Sequence, residues 1–316
     1  MSQFEGIWVP LVTPFRQGEP DYEQAQLLAQ QLILAGVHGL VVCGTTGEAA
    51  CLSEYEQTHM LAAILEVTKN TCPVLMGMGG GGGSDTRVLT EKIRRYDDPR
   101  LTGFLVSAPA YVRPAQEGIR RHFEALATAT DKALVLYNIP ARTGVNIDLG
   151  TCIALQKHSN IVAIKESAGL ATQLSGLINC TGLKVLCGDD ALLFDALGLG
   201  GHGAISAAAH VRPDLFVALY ELMRAARYAE AKLMFEQLLP LIRLLFSEPN
   251  PAPVKAALAL QGNIHDELRL PMTPMSLAGK TKLADVLDSL VQVSAQGPHH
   301  SIATDHGEPA LLKLLS

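Results

Sequence analysis

Ile161-Val162-Ala163-Ile164-Lys165-Glu166-Ser167-Ala168 opens as a short β-branched apolar run, the kind that forms a strand buried on both faces, and one lysine interrupts it. An unpaired ammonium in such a run costs roughly several kcal/mol unless it loses its proton or finds partners. An amine pushed toward neutrality is a nucleophile for carbonyl compounds, which makes Lys165 a candidate Schiff-base former. A structural ion pair with the adjacent Glu166, or a lysine whose stem is buried and whose head is wet, accounts for the same residue without chemistry. Structural ion pairs outnumber catalytic lysines, so the segment by itself favours the second explanation. Strand alternation nevertheless points Glu166 to the opposite face from Lys165, which weakens the pairing.

Seven further runs like this one surround it. The eight candidate strands are Gly6–Leu11, Gly39–Cys43, Pro73–Met78, Gly103–Ser107, Ala133–Tyr137, Ile161–Lys165, Lys184–Gly188 and Gly203–Ser206. Helical patterns lie between them, at Tyr22–Ala35, Ser53–Thr68, Asp85–Tyr96, Gln116–Ala129 and Ala191–Leu199. Alternation of β and α predicts parallel strands joined by right-handed crossovers, and eight of them in some two hundred residues predict an α/β fold, the closed (β/α)8 TIM barrel. An open doubly wound sheet is the alternative, but Val12-Thr13-Pro14-Phe15 stands where its Gly-rich fingerprint belongs. The alternation then stops. Pro213–Leu245, Val254–Leu260 and Lys280–Val293 read as helices of a small C-terminal addition. The chain thus divides into a catalytic barrel (1–211), a C-terminal helical region (212–295) and a flexible tail (296–316) with room for one short helical segment.

Composition excludes several classes of function. A formal net charge of −6, with both signs mixed along 316 residues, gives nucleic acid no basic stripe. The start, Met1-Ser2-Gln3-Phe4-Glu5-Gly6, lacks the basic and apolar regions of a secretory leader, and Asp195, His202 and His210 break the longest apolar stretch, so neither secretion nor a membrane span is expected. Cys43, Cys51, Cys72, Cys152, Cys180 and Cys187 form no C-x-x-C pair, which predicts reduced thiols, a cytoplasmic location and no zinc site.

In a (β/α)8 barrel the chemistry gathers at the carboxyl ends of the strands. After the second strand, Gly44-Thr45-Thr46-Gly47-Glu48 offers tight turns, backbone amides and two hydroxyls, suited to a carboxylate cradle or simply to a βα turn. After the third, Gly77-Met78-Gly79-Gly80-Gly81-Gly82-Gly83-Ser84 lacks the lysine and spacing of a phosphate loop and reads as a flexible connection. The fourth ends in Ala108-Pro109-Ala110-Tyr111-Val112-Arg113-Pro114, where two prolines restrict a tyrosine that is either aimed or an interface aromatic. The fifth ends in Tyr137-Asn138-Ile139-Pro140-Ala141-Arg142-Thr143-Gly144. It places a phenol beside Lys165 and a guanidinium just beyond, fit for proton transfer and for a carboxylate. Asp189 and Asp190, after the seventh, read as helix N-caps rather than metal ligands. Small residues around Ile205, after the eighth, suit a backbone carbonyl at the edge of a pocket.

These motifs, with Glu248-Pro249-Asn250-Pro251-Ala252-Pro253-Val254-Lys255, resemble the dihydrodipicolinate synthase family, within the pyruvate-dependent class I aldolases related to N-acetylneuraminate lyase. The resemblance runs over roughly Phe4–Val293. It implies a Schiff base between Lys165 and pyruvate, proton relay through Tyr137 and Thr45, and completion of that relay by Tyr111 reaching into a neighbouring subunit of a homodimer or homotetramer. Thr46 would hold the pyruvate carboxylate and Arg142 that of L-aspartate 4-semialdehyde, while Gly188 and Ile205 would line the substrate. It also implies no cofactor and no metal, since the lysine is itself the electron sink. The same superfamily includes lyases for N-acetylneuraminate, 2-keto-3-deoxy sugar acids and 4-hydroxy-2-oxoglutarate; Arg142-Thr143-Gly144 points to the synthase among them. A scaffold that binds but does not turn over is less compatible with Thr45, Tyr111, Tyr137, Arg142 and Lys165 occurring together. Departures from the family pattern also occur. Ala49, Gly80 and Ala110 bring no polar group where lysine-inhibited members have them, so inhibition by lysine is expected to be weak or absent.

Overall fold

A computed structural model of the chain describes residues 4–69, 71–79 and 85–295. The polyglycine segment from Gly80 and the tail of 296–316 lie outside the described residues.

The eight buried runs form β1 (Gly6–Pro10), β4 (Gly39–Val42), β5 (Val74–Met78), β6 (Gly103–Ser107), β7 (Ala133–Asn138), β8 (Ile161–Glu166), β9 (Lys184–Cys187) and β10 (Gly203–Ile205). All are parallel, and the sheet closes when β1 pairs with β10 on one side and β4 on the other. Closure leaves no sheet edge, so nearly every strand residue is buried whichever way it points. Two cores result. The larger lies between sheet and helices. The smaller fills the lumen with Trp8, Val41, Leu75, Leu105, Val135, Ala163, Leu186 and Ile205, at least one from each strand.

Between the strands run α1 (Tyr22–Leu34), α2 (Glu54–Thr68), α3 (Thr86–Arg95) and α4 (Gln116–Ala127), ending within a residue or two of expectation. The Ala191–Leu199 segment is a 3-10 turn followed by α8 (Leu193–Gly198). Three helices escaped the sequence reading: α5 (Pro140–Thr143), α6 (Leu149–Leu155) and α7 (Ala171–Cys180). They are short, and the two longer ones carry an internal glycine, so their apolar period is too brief to register. A small hairpin of β2 (Phe15–Arg16) and β3 (Glu19–Pro20) was also missed.

The single long helix expected at Pro213–Leu245 is two, α9 (Pro213–Arg224) and α10 (Tyr228–Leu245), parted where Ala226 takes a left-handed φ of 57°. With α11 (Ala252–Leu260) and α12 (Leu277–Ala295) they form the C-terminal helical region. Among the described residues no helix is long and apolar enough to cross a membrane.

Candidate active site

The pleat of β8 sends Ala163 into the lumen and Lys165 after it, while Ile164 joins the outer core. Lys165 is 6% exposed. Its register partner on β7 is Tyr137, and Lys165 Nζ lies 4.4 Å from the centroid of the Tyr137 ring.

Glu166 turns away from the lysine. Its carboxylate accepts from Asn138 Nδ2 at 2.9 and 3.1 Å, Gln173 Nε2 at 2.9 Å and Ala168 N at 2.6 Å. Burial pushes this carboxyl up, and the three donor groups offset part of that. Asn138 also accepts from Ile147 N at 2.9 Å and donates to Asn146 Oδ1 at 2.7 Å. The outward face of β7 and β8 therefore ties down the loop that carries Arg142. Gly188 follows β9 beside the lysine stem. A Cβ there would run into Ser167 Oγ and come within 2.7 Å of Lys165 Cε, so glycine alone leaves the stem its place.

The Gly44–Glu48 loop is held from the C-terminal region. Asn250 Nδ2 donates to Thr46 Oγ1 at 3.0 Å. Glu48 takes a left-handed φ of 54°, and its Oε1 lies 2.5 Å from Nζ of the fully buried Lys255. Lys255 Nζ also donates to Glu267 O at 2.8 Å and lies 4.3 Å from the Phe15 ring centroid. Burial pushes the Glu48 carboxyl up and the Lys255 amine down, and each partner's charge works against the shift. Further along the loop Ser53 and Glu56 form a capping box at the start of α2, and Glu56 binds the Arg269 guanidinium at 2.5 and 2.9 Å.

One cavity of about 470 Å3 gathers Thr45, Thr46, Tyr137, Arg142, Lys165, Gly188 and Ile205. Tyr111 is not there. It stands 95% exposed on the loop after β6, with a φ of 70°. Glu248 and Asn250 also line the cavity, although no site role was assigned to either from the sequence. Asp189 accepts from Ala191 N at 3.2 Å as a cap, and Asp190 accepts from Ala208 N at 2.8 Å. Among the described residues no three His, Cys, Asp or Glu side chains are grouped to hold a metal ion.

An amine beside a phenol, hydroxyls on one side and a guanidinium on the other suit imine chemistry on a small acid carrying a carbonyl. A closed barrel with these groups in one cavity at the carboxyl ends of its strands is a (β/α)8 lyase that processes small molecules. The chain belongs to the dihydrodipicolinate synthetase family, whose model matches residues 3–290. It is 41% identical over 289 residues to the 4-hydroxy-tetrahydrodipicolinate synthase of Syntrophobacter fumaroxidans, covering 90% of this chain and 98% of the relative. The solved 4-hydroxy-tetrahydrodipicolinate synthase of Methylacidiphilum fumariolicum SolV superposes with a TM-score of 0.89 at 33% identity, over 93% of this chain and 98% of that one. A structure described as the first monomeric dihydrodipicolinate synthase variant gives a TM-score of 0.88 at 33% identity, over 91% and 97%.

Proposed function

We propose that the chain condenses pyruvate with L-aspartate 4-semialdehyde to give 4-hydroxy-tetrahydrodipicolinate, the lysine-biosynthetic reaction of its relatives. The observation that carries this reading is Lys165 lining one cavity with Tyr137, Thr45 and Arg142. The Lys165 amine attacks the ketone carbon of pyruvate, and loss of water leaves an imine. Removal of a methyl proton gives the enamine, whose carbon bonds to the aldehyde carbon. The product's ammonium gives up a proton to solvent, and the freed amine closes on the former ketone carbon and releases the lysine. Tyr137 and Thr45 move the protons, the Thr46 backbone holds the pyruvate carboxylate, and Ile205 lends its carbonyl.

Incubation with pyruvate and borohydride, followed by peptide mass mapping, tests the first half. A reduced pyruvyl adduct on Lys165 is expected, and its absence there overturns the mechanism. Arg142 tests the second half. Arg142→Ala is expected to raise KM for aspartate semialdehyde by about 10- to 100-fold, the loss of a charge-assisted carboxylate contact, with KM for pyruvate little changed. Unchanged turnover of the semialdehyde would favour another pyruvate lyase on the same scaffold.

Tyr111 acts across an interface between two copies, in a cytoplasmic homodimer or homotetramer. Its neighbour Ala110 lines a second cavity of about 410 Å3, mostly apolar, which shares Thr45, Tyr137 and Arg142 with the first. An exposed aromatic beside an apolar hollow suits exchange between copies. Ala49 and Ala110, both lining that hollow, bring no polar side chain for a free amino acid. Lysine is accordingly expected to inhibit weakly or not at all; half-inhibition at sub-millimolar lysine is the contrary outcome.

A further inference from the structure

The catalytic cavity is lined by two basic residues, Arg142 and Lys165, and by one acidic residue, Glu248. No described cation pairs with Glu248. Its carboxylate is engaged by neutral donors only, Ser276 N at 3.0 Å and Ser276 Oγ at 2.6 Å at the start of α12. Those donors hold its carboxyl below the usual range, so it is charged at neutral pH. Each carboxylate oxygen accepts more than one hydrogen bond, and the Ser276 contacts leave capacity on both.

An aldehyde that carries an ammonium and a carboxylate on one carbon needs an anion near the guanidinium that takes its carboxylate. Without one, its ammonium would find only neutral acceptors such as Asn250 Oδ1 beside the charges of Arg142 and Lys165. We propose that Glu248 is a specificity-determining residue that receives the ammonium of the amino-aldehyde substrate while Arg142 receives its carboxylate. This rests on the condensation proposed above and names what selects its second substrate. Glu248 reaches the cavity from the segment between α10 and α11. The C-terminal helical region then contributes to substrate choice as well as to the support of the Thr45–Thr46 loop.

The test sets aspartate semialdehyde as substrate against succinic semialdehyde as competitive inhibitor, which has the same chain without the amine that releases the lysine. In native protein the inhibition constant of succinic semialdehyde is expected to exceed KM for aspartate semialdehyde by at least about tenfold, the scale of a charged hydrogen bond. Glu248→Gln, which keeps an acceptor for Ser276, is expected to lose that preference through KM for aspartate semialdehyde. Its KM for pyruvate, borohydride trapping at Lys165 and inhibition by succinic semialdehyde should remain as in native protein. Ser276→Ala removes the tether but keeps the carboxylate, and is expected to retain the preference. Equal weakening of both aldehydes in Glu248→Gln, or a preference that survives in it, overturns the assignment and leaves Glu248 as a tether for α12. If Glu248→Gln fails to fold, absence of any preference in native protein overturns it as well. Failure of the Lys165 adduct would instead strike the condensation itself, so the two are distinguishable.

Discussion

Lys165→Met is expected to lower the condensation rate at least about a thousandfold, on the scale seen when a covalent nucleophile is removed, while leaving the fold intact. Methionine fills much of the volume of the lysine stem and removes only the amine. The stem runs between Gly188 and the Tyr137 ring, so a smaller replacement would leave a void. Of the anions nearby, Glu166 is already satisfied by Asn138, Gln173 and the Ala168 amide, and the buried Asp190, whose carboxyl the lysine's charge lowers, keeps its bond from the Ala208 amide. Thermal unfolding of the variant should therefore stay close to the parent, with Asp190 taking up a proton more readily. Steady-state coupling of pyruvate to aspartate semialdehyde reads the rate, and circular dichroism reads the fold. A residual rate above about a tenth of the parent, far more than loss of a covalent nucleophile allows, would rule out a Schiff base at this residue.

Lys255→Met is expected to cost about 3–5 kcal/mol of unfolding free energy, because it leaves Glu48 buried without its cation. The Glu267 carbonyl loses its donor at the same time. Glu48→Gln combined with Lys255→Met removes both charges and is expected to recover most of the loss, since a neutral pair of similar size carries no ionic desolvation. Urea unfolding of the single and double variants measures this. A single variant within about 1 kcal/mol of the parent, the size of an exposed pair, would show that the two charges are not buried together in solution. The Thr45–Thr46 loop rests on this pair through Glu48, so the single variant should also lose activity beyond its loss of folded protein.

Much of this molecule is legible in its sequence. The eight strands appear as apolar runs because parallel barrel strands are buried on both faces, and that burial is written in composition rather than in long-range order. Tyr137 and Lys165 each stand near the end of such a run, where barrels keep their chemistry. The short helices α6 and α7 carried too few apolar turns to show, and the break between α9 and α10 depends on one residue, Ala226, adopting a conformation that alanine does not advertise. Neither Glu48 with Lys255 nor Asn250 with Thr46 was legible, for each pair spans more than two hundred residues of chain.

Lys165 shows where the boundary falls. By itself the sequence determined that a lysine sits in a strand buried on both faces, one position before an acid that strand alternation turns away, because a period of two is a local property of the chain. Only the tertiary structure decided what surrounds that lysine. Closure of the sheet set Tyr137 beside it in register, the missing side chain of Gly188 left room for its stem, and the C-terminal helices brought Glu248 and Asn250 to the same cavity. Those neighbours come from distant segments, and the packing that unites them depends on the register of all eight strands at once.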